Sequence, residues 1–208
     1  NTTQVQALTN IQLAKMASAQ LAAFTGAQMG AMTSDQINAL STSQLGALSG
    51  SQISSISTQA LGDVATQSVK ALSARQIQAL TTDQIIALIG DQMSALSTSQ
   101  VSNLTVQQIG AIETRDLVVM DTSQIGAMSA TQVASMKTGQ LNALTTSQLQ
   151  SLTVGDIAKL SSSQVNALDT SQIASLLTSQ VAALSNQNVA AMGSAQIAAL
   201  DVSIAKLG

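Results

Sequence analysis

An eight-residue period runs through this chain from the first residue to nearly the last, and no other feature restricts its fold as much. The 208 residues divide into 26 octads without insertion, among them N-T-T-Q-V-Q-A-L (1–8), T-S-D-Q-I-N-A-L (33–40), T-T-D-Q-I-I-A-L (81–88), T-T-S-Q-L-Q-S-L (145–152) and L-T-S-Q-V-A-A-L (177–184). In octads 1 to 25 the fifth position is always Val, Leu, Ile or Met, and the eighth is always Leu, Met, Ile, Val or Phe. The fourth is Gln in 20 octads, the seventh Ala in 16, and the first Ser, Thr, Asp or Asn in 18. The last octad, 201–208, omits the Gln and brings Ile204 in one place early. A fixed period of this kind marks an array whose units bury a continuous core only by stacking.

One continuous helix cannot use a period of eight. Eight residues advance about 80° past two full turns, so an apolar stripe would wind around the rod within a few octads. The helix must break once per octad, and the break is written in the sequence. With position 1 as N-cap and position 4 as N3, S/T-x-x-Q is a capping box: the hydroxyl accepts from the N3 amide and the Gln side chain accepts from the N-cap amide. The preceding position 8 and the following position 5 are then N′ and N4, both apolar, and form a hydrophobic staple. Each octad therefore reads as a helix of about one and a half turns, far too short to be stable alone in water. The predicted fold is all-α, a solenoid of short capped helices over a single array 1–208, with positions 5 and 8 buried. Two facing helices, 16 residues per coil, would give 13 coils. A β-solenoid is the alternative; it would use the alternation of positions 5 and 7 and the Thr at position 2. The Ala, Met and Gln content, the adjacent apolar pair at 7 and 8, and the lack of a fixed corner residue oppose it.

Composition enters through what it removes. There is no His and no Cys, hence no imidazole base, thiolate, disulfide or zinc ligand set. The serines have no base to activate them, and a Ser–Lys pair has no supporting motif. No catalytic, cofactor-binding or metal-binding residue is expected, and the chain is read as no enzyme. Seven Lys and Arg against ten Asp and Glu, scattered and summing to −3, exclude nucleic acid as a partner. Nowhere do 18 apolar residues run together, and the opening octad has no basic stretch followed by an apolar one, so neither a membrane span nor a signal peptide is expected. An array like this also fits inside a longer polypeptide.

Four groups of residues are candidate sites. The position 4 glutamines could form an amide column that pairs with itself or binds a repetitive ligand, or each could close only its own capping box, which the spacing favours. Ala60, Ser68, Asp116, Asp156 and Asn188 depart from this Gln, and Ala60 cannot complete a box. The hydroxyls of positions 1 and 2, such as Thr81 and Thr82, Ser97 and Thr98, and Thr145 and Thr146, suggest an ice-binding rank. Position 2 is Thr in only 12 octads, however, and a cap with a solvated turn explains the row better. Glu113, Asp116 and Asp121 could suggest calcium, but Arg115 sits among them and no Asp-rich loop accompanies them; a solvated, locally paired face is expected. Asp63, with Lys70 and Arg75, reads the same way, and Asp63 at a small apolar position predicts an exposed edge or a distortion.

The pattern L-[ST]-x-x-Q-[IVL]-x-A-[LM] over octads 1 to 25 resembles repeat regions of very large bacterial surface proteins labelled adhesin or haemagglutinin-like. The resemblance implies an extracellular or cell-surface structural role, export by a type I-like route without signal cleavage, and no catalytic residues. Two function classes follow: a repeat protein that self-assembles into a filament, sheath or surface layer, and a monomeric stalk or ligand-binding array of an adhesin.

Overall fold

The computed structural model describes residues 1–205, with side chains described through residue 200. Contacts divide the chain into two compact units, Asn1–Leu104 and Thr105–Gly208, each of 13 octads. Among the described residues there are 25 helices and no strand, so the fold is the all-α solenoid and the β-solenoid alternative falls.

Each helix starts at position 2 of its octad, with position 1 as N-cap. In α11 (Thr82–Ala87) the N-cap Thr81 is extended, with φ −73° and ψ 163°. The helix ends at Leu88, φ −66° and ψ 138°, and the next residue, Ile89, is extended as well, with φ −97° and ψ 165°. Two consecutive extended residues at positions 8 and 1 thus make the break. Many helices stop with the help of a left-handed residue, usually Gly; among the described residues none has positive φ. This explains why the octad carries no Gly at a fixed position.

The last helix, α25 (Ser194–Ala205), runs through the octad boundary. The sequence differs here in two ways at once: Asp201-Val202-Ser203-Ile204 has no Gln at the N3 position and brings its apolar residue one place early, so box and staple are both out of register. The irregular octad expected at 201–208 begins here, and its residues 206–208 lie outside the described residues.

The number of octads per turn, for which the sequence carries no odd–even alternation, is not the two of a pair of facing helices. Within the first unit α4 (Gly26–Gly30) packs on α7 (Gly50–Ser55), and α8 (Thr58–Gly62) on α11. In the second, α16 (Thr122–Gly126) packs on α19 (Thr146–Ser151), and α21 (Ser162–Asn166) on α24 (Asn186–Ala191). Helices three octads apart are therefore neighbours, and side-chain bonds described below join octads four apart, so one turn holds between three and four octads. The 16-residue coil is corrected: a two-residue extended link bends the chain by less than the full reversal that two facing helices need. The stacked helices approach closely. A Cβ on Gly30 would lie 2.7 Å from the Ser55 carbonyl oxygen, and one on Gly126 would lie 2.9 Å from that of Ser151.

The core follows the pattern read from the sequence. Position 5 is buried from Val5 through Ile173, and position 8 from Met32 through Leu176. Leu8, Met16 and Phe24, the position 8 residues of the first three octads, are only half-buried, and Val189 at position 5 of octad 24 is 37% exposed. Burying an aliphatic side chain is worth about 1.5 to 3 kcal/mol. Two such residues per octad supply what a five- or six-residue helix lacks on its own.

Candidate functional site: glutamine ladder, hydroxyl row and acidic cluster

The glutamines do two jobs at once. In octad 11 the Thr81 Oγ1 accepts from the Gln84 backbone N–H at 3.1 Å, and the Gln84 Oε1 accepts from the Thr81 N–H at 2.8 Å, closing the box. The Gln84 Nε2 then donates to the carbonyls of Ile53 at 3.0 Å and Ile56 at 2.7 Å. These are positions 5 and 8 of the octad four earlier. Gln44 reaches Leu13 and Met16 in the same way, and in the second unit Gln172 reaches Leu141 and Leu144. The amide column exists, but it pairs with backbone rather than with itself. The position 8 carbonyl lies past the helix end and has no intrahelical partner; the side chain from the next turn satisfies it and adds a second donor to the position 5 carbonyl, which already accepts from the position 8 N–H, as Ile53 does from Ile56 at 3.1 Å. Gln84 is 1% exposed, and among the described residues no buried side-chain nitrogen or oxygen lacks a partner.

Gln4, Gln12, Gln20 and Gln28, in the first four octads, differ. Each Oε1 still accepts from the amine or amide at position 1, at 2.7 to 2.8 Å. No acceptor for any of their Nε2 groups exists among the described residues, and the first three side chains are exposed while Gln28 is half-buried.

Octads that lack the Gln show what it supplies. Ala60 leaves only the Ser57 half of the box, at 3.1 Å, beside an open cleft of about 310 Å³ bordered by Met32, Gln59 and Asp63. Octad 9 has neither cap nor Gln, and Asn38, four octads earlier, stands in for the Gln half alone: its Oδ1 accepts from the Ala65 N–H at 2.8 Å and also from the Ser68 hydroxyl at 3.1 Å. A small apolar void of about 10 Å³ lies beside Ser68, Ile37 and Leu72. Asp156 closes its box on the Thr153 N–H at 2.6 Å but has no N–H to pass to an earlier turn. Asn188 keeps one bond, from Nδ2 to the Leu160 carbonyl at 3.0 Å.

The other candidate residues are placed as follows. Ser97 and Thr145 accept from the N3 amides at 3.2 Å, so their hydroxyls serve as caps, while Thr82, Thr98 and Thr146 point to solvent. Successive octads sit between a third and a quarter of a turn apart, so consecutive hydroxyls face different sides and no single rank of neighbours eight residues apart forms. Arg115 pairs with Glu113 at 2.6 Å and with Asp116 at 3.7 Å, whereas Asp121 is an N-cap that accepts from Gln124 N–H at 2.7 Å. Glu113 and Asp116 thus share Arg115, while Asp121 is engaged in its own cap. Asp116 is 3% exposed; burial, with Glu113 adding, pushes its carboxyl above the usual range against the opposing pull of Arg115. Asp63 is exposed, as expected, but accepts from the Gln59 Nε2 at 2.6 Å instead of joining Lys70 or Arg75; the expected pairing of that group is corrected. An i, i+4 amide on its own helix is nearer than either cation.

The ALTTAQ repeat family model matches residues 5–42, 27–58 and 109–146, confirming the octapeptide-like repeat. The string A-L-T-T-x-Q stands at 79–84 and 143–148, across the helix break and its capping box. No curated protein is found to match the chain.

Proposed function

We propose that this chain is a structural, non-catalytic repeat protein of the bacterial cell surface that assembles with copies of itself into a filament, sheath or surface layer. The observation that supports this most is the use made of its buried polar groups. The interior glutamine amides are spent on holding one turn to the next, which leaves repetition of a weakly charged surface as what the molecule offers a partner. Regular weak contacts along such a surface add, and a net charge of −3 does little to keep copies apart. The extracellular setting rests on the resemblance to surface-protein repeats and suits a chain without Cys.

Negative-stain microscopy together with light scattering across a salt series tests the reading. Fibres or sheets whose growth persists at high salt are expected, since apolar and amide contacts outweigh ionic ones here. Isolated rods and a monodisperse monomer at high concentration, at low and high salt alike, would overturn assembly in favour of a monomeric stalk.

A further inference from the structure

We propose that the cleft beside Ala60 binds a primary carboxamide, the group carried by glutamine and asparagine side chains and by small free amides. Such binding does not depend on assembly. It concerns the one ladder position in octads 1 to 25 that carries an alanine.

The neighbouring octad displays what this position is shaped to hold. Gln52 accepts from the Ser49 N–H at 2.8 Å through Oε1, and its Nε2 donates to the carbonyls of Leu21 at 3.1 Å and Phe24 at 2.8 Å, 31 and 28 residues earlier. One N–H and two carbonyls thus enclose one planar amide. In octad 8 the same three groups are the Ser57 N–H and the carbonyls of Met29 and Met32, at the same separations from Ala60. Neither the Ser57 N–H nor the Met32 carbonyl makes a hydrogen bond among the described residues, and both residues line the cleft of about 310 Å³ together with Ala60. The Met29 carbonyl accepts from the Met32 N–H at 3.1 Å, as that of Leu21 does from Phe24 at 3.0 Å, and keeps a second lone pair for an amide. Other departures from Gln are answered within the chain: Asn38 serves octad 9, Asp156 closes its own box and Asn188 reaches Leu160. Only octad 8 combines an open backbone donor, an open backbone acceptor and a side chain that can meet neither.

Beyond its methyl, the side chain that octad 8 lacks is an acetamide. A space left by a shortened side chain takes a small molecule that matches the missing piece in shape and polarity. Here the ligand must accept from Ser57 and donate to Met32 within one plane, which a primary amide does. A carboxylate of the same shape would set a second acceptor against the Met32 carbonyl, with the Asp63 carboxylate on the same wall. An ammonium group would donate to Met32 but leave the Ser57 N–H facing a cation. The cleft is large enough for the group and the chain that bears it, since small-ligand sites begin at about 300 Å³.

The test uses the whole 208-residue chain and reads saturation transfer from protein to ligand by NMR, which serves a monomer and a polymer alike. The probes are acetamide and acetate. Acetamide should bind in the millimolar range, as suits so small a ligand, and acetate more weakly by about tenfold or more. Ala60→Gln brings the chain's own amide to the site and should abolish the acetamide signal with helical circular dichroism unchanged. Ser57→Pro removes the free N–H at a residue whose φ of −63° proline accepts, and should weaken acetamide by about tenfold. Ser57→Ala, which loses only the hydroxyl, should bind as the natural chain does. Two capped residues then separate the sources of the amide. Displacement of acetamide by N-acetyl-glutamine methylamide, and not by the glutamate equivalent, assigns the site to a polypeptide side chain; acetamide binding without such displacement assigns it to small free amides. The proposal is overturned by no acetamide signal, by equal signals from acetamide and acetate, or by equal signals from the natural chain and a folded Ala60→Gln. Should Ala60→Gln lose helicity, the Ser57 pair decides: equal binding by the proline and alanine variants would overturn it.

Discussion

Gln12 and Gln84 hold the same position in the same eight-residue unit and close the same capping box, yet only one of them fastens two turns together. Gln12 is exposed and its Nε2 has no acceptor among the described residues, whereas Gln84 is 1% exposed and its Nε2 ties octad 11 to octad 7. The difference separates two levels of the fold. The box acts within an octad and starts a helix wherever it occurs. The ladder acts between turns and exists only where an earlier turn lies underneath. A first turn therefore has its helices but lacks half of its cohesion.

The largest expected effect sharpens this contrast in the core. Leu88 and Leu8 both occupy position 8, the former fully buried and the latter half-buried. Leu88→Ala should cost about 2 to 5 kcal/mol, because neighbours on both sides prevent the cavity from collapsing. Leu8→Ala should cost under about 1.5 kcal/mol. Denaturant titration of the two variants measures both, and equal losses would mean that the first turn is as enclosed as the interior.

The glutamines come next. Gln84→Ala removes half of a box and strands the buried Ile56 carbonyl, while that of Ile53 keeps the Ile56 N–H at 3.1 Å, for about 1.5 to 4 kcal/mol in all. Gln12→Ala loses only the box, about 0.5 to 1 kcal/mol. Gln84→Glu isolates the ladder, since the box survives while the donor is lost. If it proves as stable as the natural chain, the bonds between turns contribute nothing.

A gain should follow where the ladder is interrupted. Ala60→Gln places an amide beside the cleft of about 310 Å³, with the Ser57 hydroxyl ready to complete the box and the Met29 and Met32 carbonyls at the register positions below. Filling such a site commonly adds about 0.5 to 2 kcal/mol. A rise in melting temperature checks it, and a fall would show that the stack has closed over the vacant position.

The helix breaks were legible because every agent of a break is local: Thr81, Gln84, Leu80 and Ile85 lie within six residues and specify cap, box and staple together. The winding was not legible. The acceptors of Gln84 are backbone carbonyls 28 and 31 residues back, and a carbonyl is present whatever the sequence. One signal did point to the ladder. A capping box accepts Glu as readily as Gln, yet position 4 is Gln in 20 octads and Glu in none. The ladder gives a reason, since only an amide can donate to the earlier turn; Asp156 closes its box with a carboxylate and makes no such bond. The exposed Asp63 was foreseeable from charge alone, whereas the replacement of the missing Gln acceptor by Asn38 depends on which octads are brought face to face.

Asp116 gives the smallest effect and tests the same rule by its sign. It stands where the ladder places a donor, its N-cap Glu113 makes no side-chain cap, and burial raises its carboxyl above the usual range, with Arg115 offsetting only part. A carboxyl whose pKa is higher folded than unfolded binds its proton more tightly in the folded state. It therefore weakens the fold once pH exceeds the raised value and ceases to do so as pH falls below the unfolded one. Acidification through the carboxylate range should thus recover some stability at this position, opposite to what a salt-bridged surface Asp would give. Asp116→Asn removes the titration: it should melt above the natural chain at neutral pH, with the gap narrowing on acidification. Thermal melts of both chains over a pH series decide it. A gap that widens toward low pH would mean that Arg115 controls the group, and that the carboxylate is held as an ion in the place of the missing amide.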